Sequence, residues 1–119
     1  MILLTKSIRE RLLANGRATR ERQEAGENEP DHKPVVKLFN PCGAATWLLT
    51  ELDPDEPDIA FGLCDLGMQC PELGSVRISE LEGYRGQFGL GIERDRHFTA
   101  KQTLSAYARD AQKAGHIVA

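Results

Sequence analysis

The chain has 119 residues, with 15 Lys and Arg against 18 Asp and Glu and a formal charge of -3. That length suits one domain with its own hydrophobic core and excludes a catalytic domain joined to a separate binding domain. The near balance of charge makes neither nucleic acid nor a membrane surface the default partner.

The opening MILLTKSIRERLL returns to charge after a very short apolar run, so it reads as neither a signal peptide nor a membrane span, and the expected location is the cytoplasm. Ser7 and Glu10 have capping-box spacing, Ile8, Leu12 and Leu13 give one apolar side, and Asn15-Gly16 is a helix stop, which predicts a first helix over residues 6–15. Residues 17–25 have high helix propensity but almost no apolar side, so they read as a second exposed helical piece or part of a mobile arm. Residues 24–34 form an irregular connection broken by Gly26, Asn28 and two prolines. The segment 17–34 is therefore an arm or connection within a single domain.

Residues 35–40 form the first predicted strand, with Val36 and Leu38 on one face. After the Pro41-Cys42-Gly43 turn, residues 45–52 form a second. Strict alternation puts Trp47, Leu49 and Glu51 on one side and Leu48, Thr50 and Leu52 on the other. Both sides are largely apolar, which predicts cover on both. DPDEPD, residues 53–58, must be a turn because its prolines cannot donate to a ladder. Residues 59–65 return with Ile59, Phe61, Leu63 and Asp65 on one face. Two antiparallel registers stay open: one sets Trp47 opposite Asp65 and Glu51 opposite Phe61, and the one-residue slip sets Thr46 opposite Asp65.

A short fourth strand is expected at 75–78, a short helix at 79–85 with Ser79 and Glu82 as its capping box, and a further strand at 90–98. The last helix carries an apolar stripe of Leu104, Tyr107, Ala108, Ala111 and Ala114, with Thr103 or Ser105 as cap and Gly115 as its end. The fold class is thus α+β: a small antiparallel meander over about 35–66 with N-terminal and C-terminal helices packed on it.

Charge is bipolar along the chain. Residues 1–22 carry Lys6, Arg9, Arg11, Arg17, Arg20 and Arg22 against Glu10 and Glu21, whereas 51–72 carry seven acids and no base. Glu51, Asp65 and Glu72 are the candidate catalytic carboxylates, suited to a divalent metal or to acid and base steps if they converge. Asp65 lies on an apolar strand face and needs a partner if buried, with a backbone group or Lys37 ahead of catalysis. Arg9, Arg17 and Arg20 are candidate phosphate contacts, and Trp47 is either a ligand platform or, more simply, core packing. Cys42, Cys64 and Cys70 are odd in number and lack a CxxC, which predicts free thiols; their spacing argues against zinc with His32 or His97. No cofactor is predicted, a divalent metal being the one the carboxylates would suit.

The strings PVVKLFNP, ATWLLTELDP, AFGLCDLG, PELG, IERDRHF and LSAY together resemble family 2958 in the series of domains of unknown function, from the first helix to Tyr107. The matching positions include Pro34, Lys37, Phe39, Pro41, Thr46, Trp47, Glu51, Asp65, Gly67, Pro71, Glu72, Leu73 and Gly74; Cys70 departs from the small residue common there. The resemblance implies a small bacterial protein encoded on plasmids or integrated mobile elements near antirestriction or conjugation functions. Its implied role is accessory: binding a protein or nucleoprotein partner in mobile-element maintenance or transfer, with direct nucleic-acid binding as one version and no membrane partner. The alternative is a small metal-dependent or carboxylate-dependent enzyme such as a hydrolase.

Overall fold

The computed structural model describes residues 2–119. Strands β1 (Val36–Phe39), β2 (Thr46–Leu52), β3 (Ile59–Asp65) and β4 (Glu72–Arg77) follow one another as an antiparallel meander, and a two-residue β5 (Glu93–Arg94) returns beside β1. The order across the sheet is β4-β3-β2-β1-β5. Helix α1 (Lys6–Glu24) precedes the sheet, α2 (Ile78–Gly83) follows β4, and α3 (Leu104–Ala114) comes last. This is the α+β meander with terminal helices that strand alternation and helix spacing predict.

Both faces of the sheet are covered, as the two-sided apolar pattern of β2 requires. On one, Val36, Leu38, Trp47, Leu49, Leu52 and Ala60 pack with Leu3, Leu4, Leu12 and Ile78. On the other, Leu48 and Leu63 meet Leu104, Tyr107, Ala108 and Ala111 of α3. Thr103 occupies the N-cap position of α3, and Gly115, with φ at 81°, ends it in the left-handed conformation expected of a glycine there.

The pairing of β2 with β3 uses part of each open register. Thr46 stands opposite Asp65 and the slipped register runs to Leu49 opposite Gly62; past Thr50, Glu51 stands opposite Phe61 and Leu52 opposite Ala60. Thr50 is the extra residue of a β-bulge. A bulge reverses the alternation beyond it. Leu52 joins Leu49 in the first core, and Glu51 shares a face with its partner Phe61 and hence with Leu63. Strict alternation had placed Glu51 beside Leu49, and the bulge overturns that.

The predicted helix stop at Asn15-Gly16 is also overturned, because one helix runs from Lys6 to Glu24. Its buried stripe is Leu12, Gly16 and Thr19. The spacing is that of an amphipathic helix, but two of its three members carry no hydropathy signal. β1 pairs with β2 only as far as Leu49, where the Val35 N–H donates to the Leu49 carbonyl at 2.8 Å. Beyond that point α1 flanks the open edge of β2: Asn15 Nδ2 donates to the Thr50 carbonyl at 2.9 Å, and a Cβ at Gly16 would overlap the Leu52 carbonyl oxygen. Asn15-Gly16 is therefore the docking point of helix on sheet edge.

Helix caps come from other residues than local spacing suggests. Thr5, not Ser7, caps α1 by accepting from the Ile8 N–H at 3.1 Å. At α2, Asp58 from the β2–β3 turn accepts from the Ser79 N–H at 2.9 Å and from its hydroxyl at 2.6 Å, while Glu82 is turned away to accept from the Leu3 N–H at 3.3 Å. The fourth strand is longer than the expected 75–78, the helix after it starts one residue early, and the expected strand over 90–98 shrinks to Glu93–Arg94. The 25–34 connection is tied to α3: Ser105 donates from both its N–H and its hydroxyl to Asp31, and the Leu104 N–H donates to the His32 carbonyl at 2.8 Å. No described helix is long and apolar enough to cross a membrane.

Candidate functional site

The three candidate carboxylates do not converge. Asp65 and Glu51 share a sheet face but lie at opposite ends of the β2–β3 pairing, four strand positions or about 13 Å apart. Glu72 stands opposite Cys64 on the edge strand β4, exposed and on the other face. Asp65 is 2 % exposed and is fully engaged by backbone: Oδ1 accepts from the Gly67 N–H at 2.8 Å and Oδ2 from the Ile117 N–H at 3.0 Å. Lys37 reaches the terminal Ala119 carbonyl oxygen and Asp95 instead. Asp65 thus joins the end of β3 to the segment after α3, and a catalytic centre built on all three acids is not what the geometry offers.

Trp47 belongs to the core, buried among the side chains beneath α1 and α2, with its indole N–H unpaired by protein acceptors among the described residues. Arg9 and Arg20 are eleven residues apart on α1, three turns, so they lie on one side of the helix. Arg20, however, is drawn into ion pairs with Asp55 at 2.8 Å and Asp53 at 3.3 Å. That leaves Arg9 and Arg17, eight residues or about 12 Å apart along the axis, without the contiguous basic face expected of the three together. The three thiols are free, and burial pushes Cys64 up to about 11, which makes it a packing residue rather than a nucleophile. Among the described residues no group of three or more His, Cys, Asp or Glu is placed to hold a metal ion.

The bulge creates a different constellation around Glu51. By bringing Glu51 to the Phe61 face next to the end of α1, it lets the buried Thr19 hydroxyl donate to Glu51 Oε1 at 3.1 Å. The Thr19 hydroxyl oxygen also lies 3.2 Å from His32 Nε2. A hydroxyl has one proton, so with Glu51 ionised Thr19 must accept from a protonated Nε2, and the chain runs from His32 through Thr19 to Glu51. Glu51 lines a groove of about 230 Å³ with Arg20, Glu29, Asp53 and the apolar floor of Ile59 and Phe61. Sequence reasoning passed over Thr19 and treated His32 only as an unlikely zinc ligand. The i, i+4, i+7 spacing of Leu12, Gly16 and Thr19 was the signal that could have found the first.

Burial raises the Glu51 carboxyl above its usual range, the Thr19 hydrogen bond and His32 lower it, and Glu29 and Asp53 raise it further. The unfolded chain releases this proton near the ordinary glutamate value while the folded chain holds it to higher pH, so Glu51 supports the fold below that value and the support is lost as pH rises through the folded one. Glu51→Gln keeps an acceptor for Thr19 and does not titrate. Urea unfolding of both proteins is expected to give similar stabilities near pH 4 and a growing advantage for the variant toward pH 7; a constant difference across that range would contradict the assignment.

A meander of four antiparallel strands extended by a short fifth, with helices on both faces and a polar groove at the bulged end of β2, defines a small α+β protein of a single sheet. The chain belongs to the family described as protein of unknown function (DUF2958), whose model matches residues 3–118. No curated protein and no solved structure matches it.

Proposed function

We propose that the chain is an accessory binding protein that engages a protein partner through the loop at residues 84–90. The setting is the bacterial plasmid or mobile-element maintenance and transfer that the family resemblance implies. The observation that carries this reading is Phe88, which is 92 % exposed and has φ at 59°. A bulky aromatic residue with positive φ is an outlier whose strain is on the order of 1 kcal/mol or more. The loop that holds it is ordered by hydrogen bonds from the Gly86 N–H to the Leu90 carbonyl at 2.8 Å, from the Gly89 N–H to the Gly86 carbonyl at 3.1 Å, and from the Leu90 N–H to the Gln87 carbonyl at 3.2 Å. Tyr84 and Leu90 flank it, both exposed. Aromatic residues, Phe among them, are enriched at protein interfaces relative to the rest of the surface.

The test is affinity capture from the source cells with wild type, Phe88→Ser and the control Arg17→Gln, followed by titration of the purified captured protein. Phe88→Ser is expected to weaken binding by at least about tenfold, the loss typical of an aromatic anchor, with Arg17→Gln unchanged. Equal capture by all three would overturn the reading.

A carboxylate-dependent enzyme such as a small hydrolase is the second reading, and the His32–Thr19–Glu51 chain is the one observation that favours it. It would rest on Glu51 alone among the three acids first considered.

A further inference from the structure

On the other side of α1 from the acidic groove lies a cleft of about 440 Å³, bounded by α1, the 32–35 segment and residues 98–100. Its ionisable lining is entirely cationic or imidazole: Arg11, His32 and Lys33. No carboxylate among the described residues lies within 4.0 Å of the Arg11 or Lys33 side-chain nitrogens, in a chain whose net charge is -3. Val35 and Phe98 supply an apolar wall and Thr99 a hydroxyl. Phe98 is itself packed against Tyr107, with ring centroids 6.5 Å apart.

The two cations are far apart in sequence and are brought together by fixed contacts. Lys33 sits in a segment pinned before it by Asp31 to Ser105, by the His32 carbonyl to Leu104 and by the His32 ring to Thr19, and after it by the Val35 N–H to Leu49. Arg11 projects from α1 one residue before the buried Leu12. An uncompensated pair of cations beside an apolar wall favours a ligand that joins a phosphate to a flat apolar group. The volume lies within the range of small-molecule sites, roughly 300–1,000 Å³. On the far side of α1, Glu29, Glu51 and Asp53 would repel the same ligand.

We propose that this cleft binds a nucleotide, with Arg11 and Lys33 on its phosphate and Phe98 and Val35 against its base. The phosphate source is either a free nucleotide or a single strand of nucleic acid. The site uses neither Phe88 nor the loop that carries it, so it stands or falls independently of the protein-partner reading.

The test is an NMR titration of the full chain with adenosine monophosphate, inorganic phosphate and a short oligothymidylate. The variants are Arg11→Gln with Lys33→Gln, Arg17→Gln and Phe88→Ser, each first checked for unchanged melting. Adenosine monophosphate is expected to bind saturably, with shifts at residues 32–35 and 98–100, and more tightly than phosphate. Removing both cations should weaken it at least about tenfold, as expected for lost phosphate contacts, while Arg17→Gln and Phe88→Ser leave it unchanged. An oligothymidylate that binds more tightly than the mononucleotide, with affinity falling as salt rises, identifies a strand as the source; one that binds no better identifies the free nucleotide. Absence of saturable binding, retention of binding without Arg11 and Lys33 charge, or an equal loss in Arg17→Gln would overturn the proposal.

Discussion

Replacing Gly16 with alanine is expected to destabilise the protein by about 3 kcal/mol, although the same change in an ordinary exposed helix stabilises by about 1 kcal/mol. The reversal of sign comes from the docking of α1 on β2. A Cβ at Gly16 would overlap the Leu52 carbonyl oxygen, with the Leu52 carbonyl carbon at 3.1 Å and Pro54 Cδ at 3.5 Å. The obstacle is strand backbone, which cannot turn aside as a flexible side chain can. Helix α1 must therefore retreat, and with it go the Asn15 bond to the Thr50 carbonyl, the packing of Leu12 and the Thr19 bond to Glu51. Urea denaturation measures the effect as a fall in midpoint at unchanged slope. The control is Gly83→Ala in α2, where nothing lies within 4 Å of the added Cβ and a neutral or slightly favourable change is expected. A neutral Gly16→Ala would mean that α1 does not sit on the β2 edge.

Asp65→Ala carries the second large effect, about 2–4 kcal/mol, because it leaves the Gly67 and Ile117 N–H groups without their acceptor at a nearly buried position. Asp65→Asn keeps one carbonyl oxygen for one of the two donors but turns an amide NH2 toward the other, so an intermediate loss is expected. Hydrogen exchange locates the damage. The Ile117 amide should lose protection first in both variants, since its bond to Asp65 is what fastens the segment after α3 to the end of β3. A catalytic Asp65 would instead leave stability and exchange untouched when replaced by Asn, and that result would reverse the structural assignment made for this residue.

These two residues mark the boundary between what local pattern reveals and what it misses. Asp65 was legible in the sequence: an acid continuing the Ile59, Phe61, Leu63 face had to be paired if buried, and the structure supplies two backbone donors. Gly16 was misread, because Asn-Gly after an apolar stripe has the same local signature whether it ends a helix or lets one approach a strand. Thr19 was missed for a related reason, since a buried threonine adds nothing to a hydrophobic periodicity. Glu51 was grouped with Trp47 and Leu49 although the bulge at Thr50 sets it on the opposite face from them, because alternation counts residues without knowing where one is skipped.

By itself the sequence determined the class of fold, the three strands of the meander over about 35–66, the cover on both sheet faces, the terminal helix with its glycine end and the need of Asp65 for a partner. Each of these follows from periodicity, from turn chemistry or from the cost of burying a charge, all local properties of the chain. Only the tertiary structure decided that two registers meet at Thr50, that α1 continues through Gly16 along the free edge of β2, that Glu51 faces Thr19 and His32, and that Arg11 and Lys33 border one cleft. Those depend on which backbone atoms from distant segments come within hydrogen-bond reach, and a bulge of one residue is enough to change every side chain beyond it.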